Sequence, residues 1–220
     1  MRDHIIVGLT GPTGAGKSTV SKMFEEQGFA VINADEIARE VMLPESICLK
    51  QISAVFGDDC INDDGSANRA VIARKAFSSK ENTKLLNDIT HPHIFLRVLK
   101  RCREFIGSGQ EYILFDAPVL FESNSDIMCD VLVCVCAPKD VRIKRLMARD
   151  GKTEKEILRR MAAQHNDEYY TSRCDIVIDG GENFDNVREC AIAAADTIKN
   201  IDKIVVEKIE KTKGRRYDGK

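Results

Sequence analysis

Gly11-Pro12-Thr13-Gly14-Ala15-Gly16-Lys17-Ser18 is the stretch on which the fold turns. It has the spacing G-x-x-x-x-G-K-[ST], follows directly on the apolar run HIIVGLT at residues 4–10, and opens a helical stretch expected over residues 17–27. Strand, glycine-rich turn and helix in that order make a cradle for a phosphate chain. The glycines let backbone N–H groups turn inward, and the free N–H groups at the helix start add partial positive charge. Lys17 is placed to reach the β- and γ-phosphates of a nucleoside triphosphate, and the Ser18 hydroxyl to complete a Mg2+ shell otherwise filled by water and phosphate oxygens. Gly11, Thr13, Gly14, Ala15, Gly16, Lys17, Ser18 and Thr19 are the expected nucleotide-binding positions.

Outward from the cradle, short β-rich runs at residues 29–33, 112–116, 131–136 and 175–179 join the one at 4–10, with helical patterns between them. Apolar strands separated by helices read as a parallel sheet covered on both faces, so the fold class is α/β with a five-stranded sheet. Residues 34–111 separate the second strand from the third, far more than one crossover helix needs. Helical spacing at Ile47, Cys48, Gln51, Ile52 and Val55, at Val71, Ile72 and Phe77, and at Leu85, Leu86 and Ile89 predicts helices around a polar loop at 57–68. Thr90 and Pro92 are expected at the cap and first turn of a further helix carrying Ile94, Phe95, Val98, Leu99, Cys102 and Phe105.

Composition bounds what such a fold does. The 220 residues are 43 % hydrophobic and 31 % charged, which excludes disorder. Thirty-three basic against thirty-five acidic side chains leave a net charge of -2 and no global field for a polyanionic duplex, so no nucleic-acid partner is expected. No run of eighteen apolar residues offers a membrane span, and the reading is a soluble, cytoplasmic chain without an evident obligate protein partner. Eight cysteines without a C-x-x-C pair are read as reduced thiols, with Cys134 and Cys136 in VLVCVC as fillers of a buried strand.

The acceptor side of the chemistry is sought past the ends of the second and third strands, because the C-terminal edge of a parallel sheet is where ligands bind. Asp116 follows an apolar strand and is placed to hold Mg2+; its alternative is to cap a turn near Pro118. Asp35 is placed to meet an acceptor hydroxyl in line with the γ-phosphate; its alternative is to cap the helix carrying Ile37, Ala38 and Val41. Arg142, Arg145 and Arg149 stand at i, i+3 and i+7, one helix face that either closes over phosphates or is merely solvated. Gly151 ends that helix, and Thr153 with Glu156 forms a capping box for the next, giving a helical hairpin suited to opening and closing. Gly180, after the fifth strand, either admits a flat ring such as adenine or makes an ordinary turn. His91 and His93 at i, i+2 do not face one another on a helix, and an EF-hand register in DDCINDDGSANRA puts Cys60 and Val71 at ligand positions, so neither reads as a metal site.

The chain resembles the dephospho-CoA kinase family through about residue 195, in GLTGPTGAGKST, VINADEIAREV, Thr90-His91-Pro92-His93-Ile94, LFDAPVLFE and RLMARDG…AAQ, in that order. Gly57, Asp64-Gly65, Arg69 and Phe77 also sit where that family has its G…DG…R…F pattern. The resemblance implies a P-loop kinase fold and ATP-dependent, Mg2+-assisted phosphorylation of the ribose 3′-hydroxyl of dephospho-CoA, the last step of coenzyme A synthesis. It implies one domain over 1–220: a nucleotide-binding core of 1–43 and 110–200, a helical acceptor-binding insertion at 44–109, a lid at 142–168 and a C-terminal extension at 201–220. Asp35 aligns with the family's general base and Arg145 with its lid arginine; Lys17 completes the catalytic set, Arg149 and Gly180 the nucleotide site, and Arg39, Arg69, His91, Pro118 and Leu120 join Asp35 on the acceptor side. Asn33, Asn68 and Gly180 depart from the family, which usually has Asp at the first two and often Asn at the third. The rival readings are a kinase for a nucleoside or nucleoside monophosphate, which would lack HPHI and DAPVLFE, and a nucleotide-hydrolysing switch or motor, for which no N-K-x-D segment is present.

Overall fold

The computed structural model describes residues 4–201, so all but the first residue of the expected C-terminal extension lies outside the described residues. Five strands, β1 (Ile5–Thr10), β2 (Ala30–Asn33), β3 (Tyr112–Asp116), β4 (Val131–Cys136) and β5 (Ile176–Asp179), form one parallel sheet in the order β2-β3-β1-β4-β5. Each strand alternates its apolar residues between two covered faces, as parallel sheets require. Leu114 points to a face closed by α1 (Lys17–Glu26) and α9 (Phe184–Lys199), where Val7, Leu9, Val133, Val20, Phe24 and Ala195 are buried together. Ile113 and Phe115 point to the other, closed by α2 (Ala34–Glu40) and α5 (Lys80–Gly107) through Ile37, Val98 and Cys102. The register sets Asn33 opposite Asp116 and Asp116 opposite Leu9, which brings three strand ends to one level.

The long connection from β2 to β3 holds α3 (Ile47–Phe56), α4 (Arg69–Ala76) and α5. Leu49 and Ile52 of α3, Ile72 of α4, and Leu86 and Ile89 of α5 close over a third apolar cluster. The expected break at Thr90 and Pro92 does not occur: α5 runs unbroken for 28 residues with Pro92 inside it. An interior proline costs about 3 kcal/mol. The helix persists because its first half is seamed to α3 and α4 while its second half, through Ile94, Val98 and Cys102, is seamed to the sheet. The insertion is therefore continuous with the core through the second half of α5.

After β4 come α6 (Lys139–Asp150), α7 (Glu154–Ala162) and α8 (Asp167–Thr171). Gly151 takes the left-handed conformation, φ 64°, that ends α6, and Thr153 and Glu156 form the capping box that starts α7. Among the described residues no helix is long and apolar enough to cross a membrane.

Candidate active site

The glycine-rich turn lies between β1 and α1 with Gly11, Gly14 and Gly16 all at positive φ. Their role is close approach as much as conformation: a Cβ on Gly11 would sit 2.1 Å from the Val135 carbonyl oxygen. Above this turn is a cavity of about 360 Å3, lined by residues 11–19 together with Asp35, Pro118, Arg145, Leu146, Arg149, Arg160 and Gln164. Four cationic side chains, Lys17, Arg145, Arg149 and Arg160, thus face one carboxylate, Asp35, across the cavity. That balance suits a polyanion.

Each strand end contributes one part. Asp116 closes β3, is 2 % exposed, and is ion-paired and hydrogen-bonded to the Lys17 ammonium. Asp35 follows β2 and is not the cap of α2: the cap is Asn33, whose Oδ1 accepts from the Asp35 N–H at 2.9 Å and the Glu36 N–H at 3.3 Å. Asp35 itself stands inside the first turn with its carboxylate on the cavity wall.

The arginines of α6 do not form the single face that their spacing predicts. Arg145 reaches the Ala15 carbonyl at 3.4 Å and Arg149 lines the cavity, but Arg142 turns inward, 7 % exposed, and donates to Asp167 at 2.9 Å. The third cavity arginine comes instead from α7. Arg160 donates to Asp150 at 3.0 Å, and Arg149 donates to the same carboxylate at 2.6 Å, which holds the Asp150 carboxyl below the usual range. Gln164 also comes from beyond α7, its Oε1 accepting the Thr13 backbone N–H at 3.0 Å, so the segment after α7 is hydrogen-bonded to the cradle. Reading arginines along one helix missed Arg160 and Gln164; their signal was the segment RRMAAQ, one turn and two turns beyond the capping box.

Residues 5–186 match the dephospho-CoA kinase family. The chain belongs to the dephospho-CoA kinase family. Among its relatives is a dephospho-CoA kinase from Corynebacterium efficiens, 40 % identical over 182 residues that cover 83 % of this chain and 91 % of the relative. A crystal structure from Thermus thermophilus is 27 % identical and superposes with a TM-score of 0.75, covering 88 % of this chain and 96 % of that one. The dephospho-CoA kinase of Campylobacter jejuni, 23 % identical and covering 90 % of this chain and 98 % of its own, shares the fold with a TM-score of 0.67.

Of the positions carried over from the dephospho-CoA kinase family, the structure brings Lys17, Ser18, Thr19, Asp35, Pro118, Arg145 and Arg149 to the cavity. Leu120 is not available to a ligand through its side chain: it is fully buried against Gly8, where a Cβ would come within 2.8 Å of Leu120 Cδ2. Gly180 does not line the cavity either. It is packed on the back of the cradle, with its N–H donated to the Cys136 carbonyl at 2.6 Å and room for a Cβ denied by the Ala15 carbonyl at 2.1 Å. Arg39 on α2 and Arg69 at the start of α4 are exposed and, like His91 midway along α5, stand outside the cavity lining. Burial lowers the His91 pKa, partly opposed by Asp88.

Proposed function

We propose that this chain transfers the γ-phosphoryl group of ATP to the ribose 3′-hydroxyl of dephospho-CoA, giving coenzyme A. The observation that carries the reading is one cavity joining the phosphate cradle, a free carboxylate from β2 and three arginines from the lid, in a chain of this family. The cradle amides bind the phosphate chain, and Lys17 exchanges its partner Asp116 for phosphate oxygens. Asp35 orients the acceptor hydroxyl and takes its proton, a role its carboxylate is free to play because Asn33 does the capping. Arg145, Arg149 and Arg160 hold the charge that builds on the transferred group and close the site to water.

Ser18 and Asp116 are the residues that would hold Mg2+, a hydroxyl and a carboxylate flanking the cradle, which fits a hard cation with oxygen ligands. Held by these two residues, Mg2+ would supply positive charge to offset that of the phosphate chain. The insertion at 44–109, with Arg69 and His91, and Arg39 and Pro118 beside it, receives the acceptor; the exposure of Arg39 and Arg69 supports contacts to a large anionic substrate. Eight free thiols support residence in the cytoplasm.

The test is to incubate the protein with ATP, Mg2+ and, separately, dephospho-CoA, AMP, CMP and adenosine, following ADP release. Dephospho-CoA is the preferred acceptor; faster turnover of AMP or CMP at equal concentration refutes the assignment.

A further inference from the structure

Away from the nucleotide cavity, three thiols meet at one place. Cys134 and Cys136 stand two apart on β4 and share a face of the sheet, with their Sγ atoms 3.2 Å apart. Cys174, just before β5, reaches the same spot and hydrogen-bonds with Cys134. Cys134 is fully buried with Phe121 and Tyr170, whereas Cys136 is partly exposed.

The surroundings divide the close pair chemically. Hydrogen bonds with Cys136 and Cys174, then burial, push the Cys134 pKa up. The hydrogen bond from Cys134 holds Cys136 below the ordinary thiol value, with Arg142 helping and burial, Asp167 and Asp179 opposing. Exposure divides the pair in the same sense: Cys136 is reachable from solvent and Cys134 lies behind it, the arrangement of an attacking and a resolving thiol.

We propose that Cys136 and Cys134 are a peroxide-reactive dithiol, in which a hydroperoxide oxidises Cys136 and Cys134 then closes a reversible disulfide. The Cys136 thiolate attacks the peroxide, so an S–O bond forms as the O–O bond breaks and the alcohol or water fragment leaves with a proton. The Cys134 sulfur then attacks the sulfenic sulfur; the S–S bond forms, the S–O bond breaks, and hydroxide leaves with the Cys134 proton as water. The two electrons come from the two thiols and go to the peroxide. Same-face neighbours on a strand keep their Cβ as well as their Cα atoms about 6.6 Å apart, beyond the roughly 3.5–4.5 Å between Cβ atoms across a disulfide, so the bond closes only as β4 buckles between residues 134 and 136. Such a bond is strained, and strained disulfides are the readily reduced ones.

The consequence for the nucleotide rests on the reading of the cavity given above; the cross-link itself does not. Val135, between the two cysteines, has its carbonyl against Gly11, and the Cys136 carbonyl accepts the N–H of Gly180. Drawing residues 134 and 136 together pulls on both supports of the cradle, and ADP affinity falls several-fold until a dithiol reductant restores it.

The experiment treats the reduced full chain with hydrogen peroxide, blocks the remaining thiols, reduces, and maps which cysteines become newly alkylatable. The expected result is that two of the eight thiols, Cys134 and Cys136, are protected until dithiothreitol is added, that Cys174→Ser leaves this unchanged, and that Cys134→Ala lets dimedone capture a sulfenic acid at Cys136. Peroxide that leaves both thiols alkylatable, or that links Cys134 to Cys174, overturns the proposal. A cross-linked protein that binds ADP as the reduced one does, measured by calorimetry, overturns the coupling to the cradle.

Discussion

Replacing Asp35 by Asn separates chemistry from folding at the position where the two readings of the sequence competed. The capping bonds of α2 belong to Asn33, at 2.9 Å and 3.3 Å, so the variant keeps the cap and loses only a negative charge in the first helical turn. That charge is worth about 0.3–1 kcal/mol against the helix dipole, and in a domain of this size about 1 kcal/mol moves Tm by roughly 2–4 °C. A small fall in Tm, no more than about 4 °C, is therefore expected. Losing the proton acceptor is far larger: about 10²–10⁴ in kcat, or roughly 3–5 kcal/mol of barrier. Asn33→Ala reverses the pattern, costing on the order of 1 kcal/mol of stability with a lesser effect on turnover. Glu36→Gln, off the cavity wall, leaves kcat near wild type. Steady-state kinetics with dephospho-CoA and thermal unfolding on the same preparations decide it. If Asp35→Asn turns over normally while Glu36→Gln is crippled, the base is misassigned.

Arg145→Ala and Arg160→Ala each lower kcat more than they weaken ATP binding, Arg145→Ala by about 10²-fold; kcat within a few-fold of wild type for Arg160→Ala returns it to the solvated surface. Gly180→Ala forces a Cβ to within 2.1 Å of the Ala15 carbonyl, so ADP affinity by calorimetry falls along with about 1–3 kcal/mol of stability, whereas Gly107→Ala, with nothing within 4 Å, costs neither; equal behaviour of the two refutes the packing argument. His91 is held below its ordinary 6.5 by burial, so the unfolded chain binds the proton more readily and the stability it contributes is present above pH 6.5 and lost as pH falls through the lower folded value. Tm between pH 7.5 and pH 5 therefore drops more for wild type than for His91→Gln, and parallel curves count against it.

The cradle and the strands were legible because both are local. A phosphate loop is a run of eight residues between a strand and a helix, and parallel strands are apolar on both faces wherever they occur; the five expected runs fall within a residue of the observed strands. What misled was punctuation and direction. Pro92 reads as a helix start, yet the helix survives it because two separate apolar seams, one around Ile89 and one around Val98, lie on either side. Arg142 shares a periodic face with Arg145 and Arg149, but which side of a helix is buried depends on the partner, and Asp167 of α8 claims it. Arg160 and Gln164 reach the cavity only because the hairpin folds back, and the spacing of RRMAAQ does not by itself say that it does. Asn33 takes the cap of α2, leaving Asp35 without that task.

These placements have a common feature that bears on how the site works. Lys17 is held by Asp116, the Thr13 amide by Gln164, Arg145 by the Ala15 carbonyl, and Arg149 and Arg160 by Asp150. These side chains and the Thr13 amide each have a protein oxygen as partner already, so where a phosphate chain meets them its binding is an exchange of acceptors. The gain per bond is then the difference between a multiply charged phosphate and a carboxylate, carbonyl or side-chain amide, and it is largest at Thr13 and Arg145, whose present partners are neutral. Both of these contacts join the α6–α7 hairpin and its exit to the cradle. Phosphate therefore competes most strongly for the two bonds that join Arg145 of α6 and Gln164, just past α7, to the glycine-rich turn.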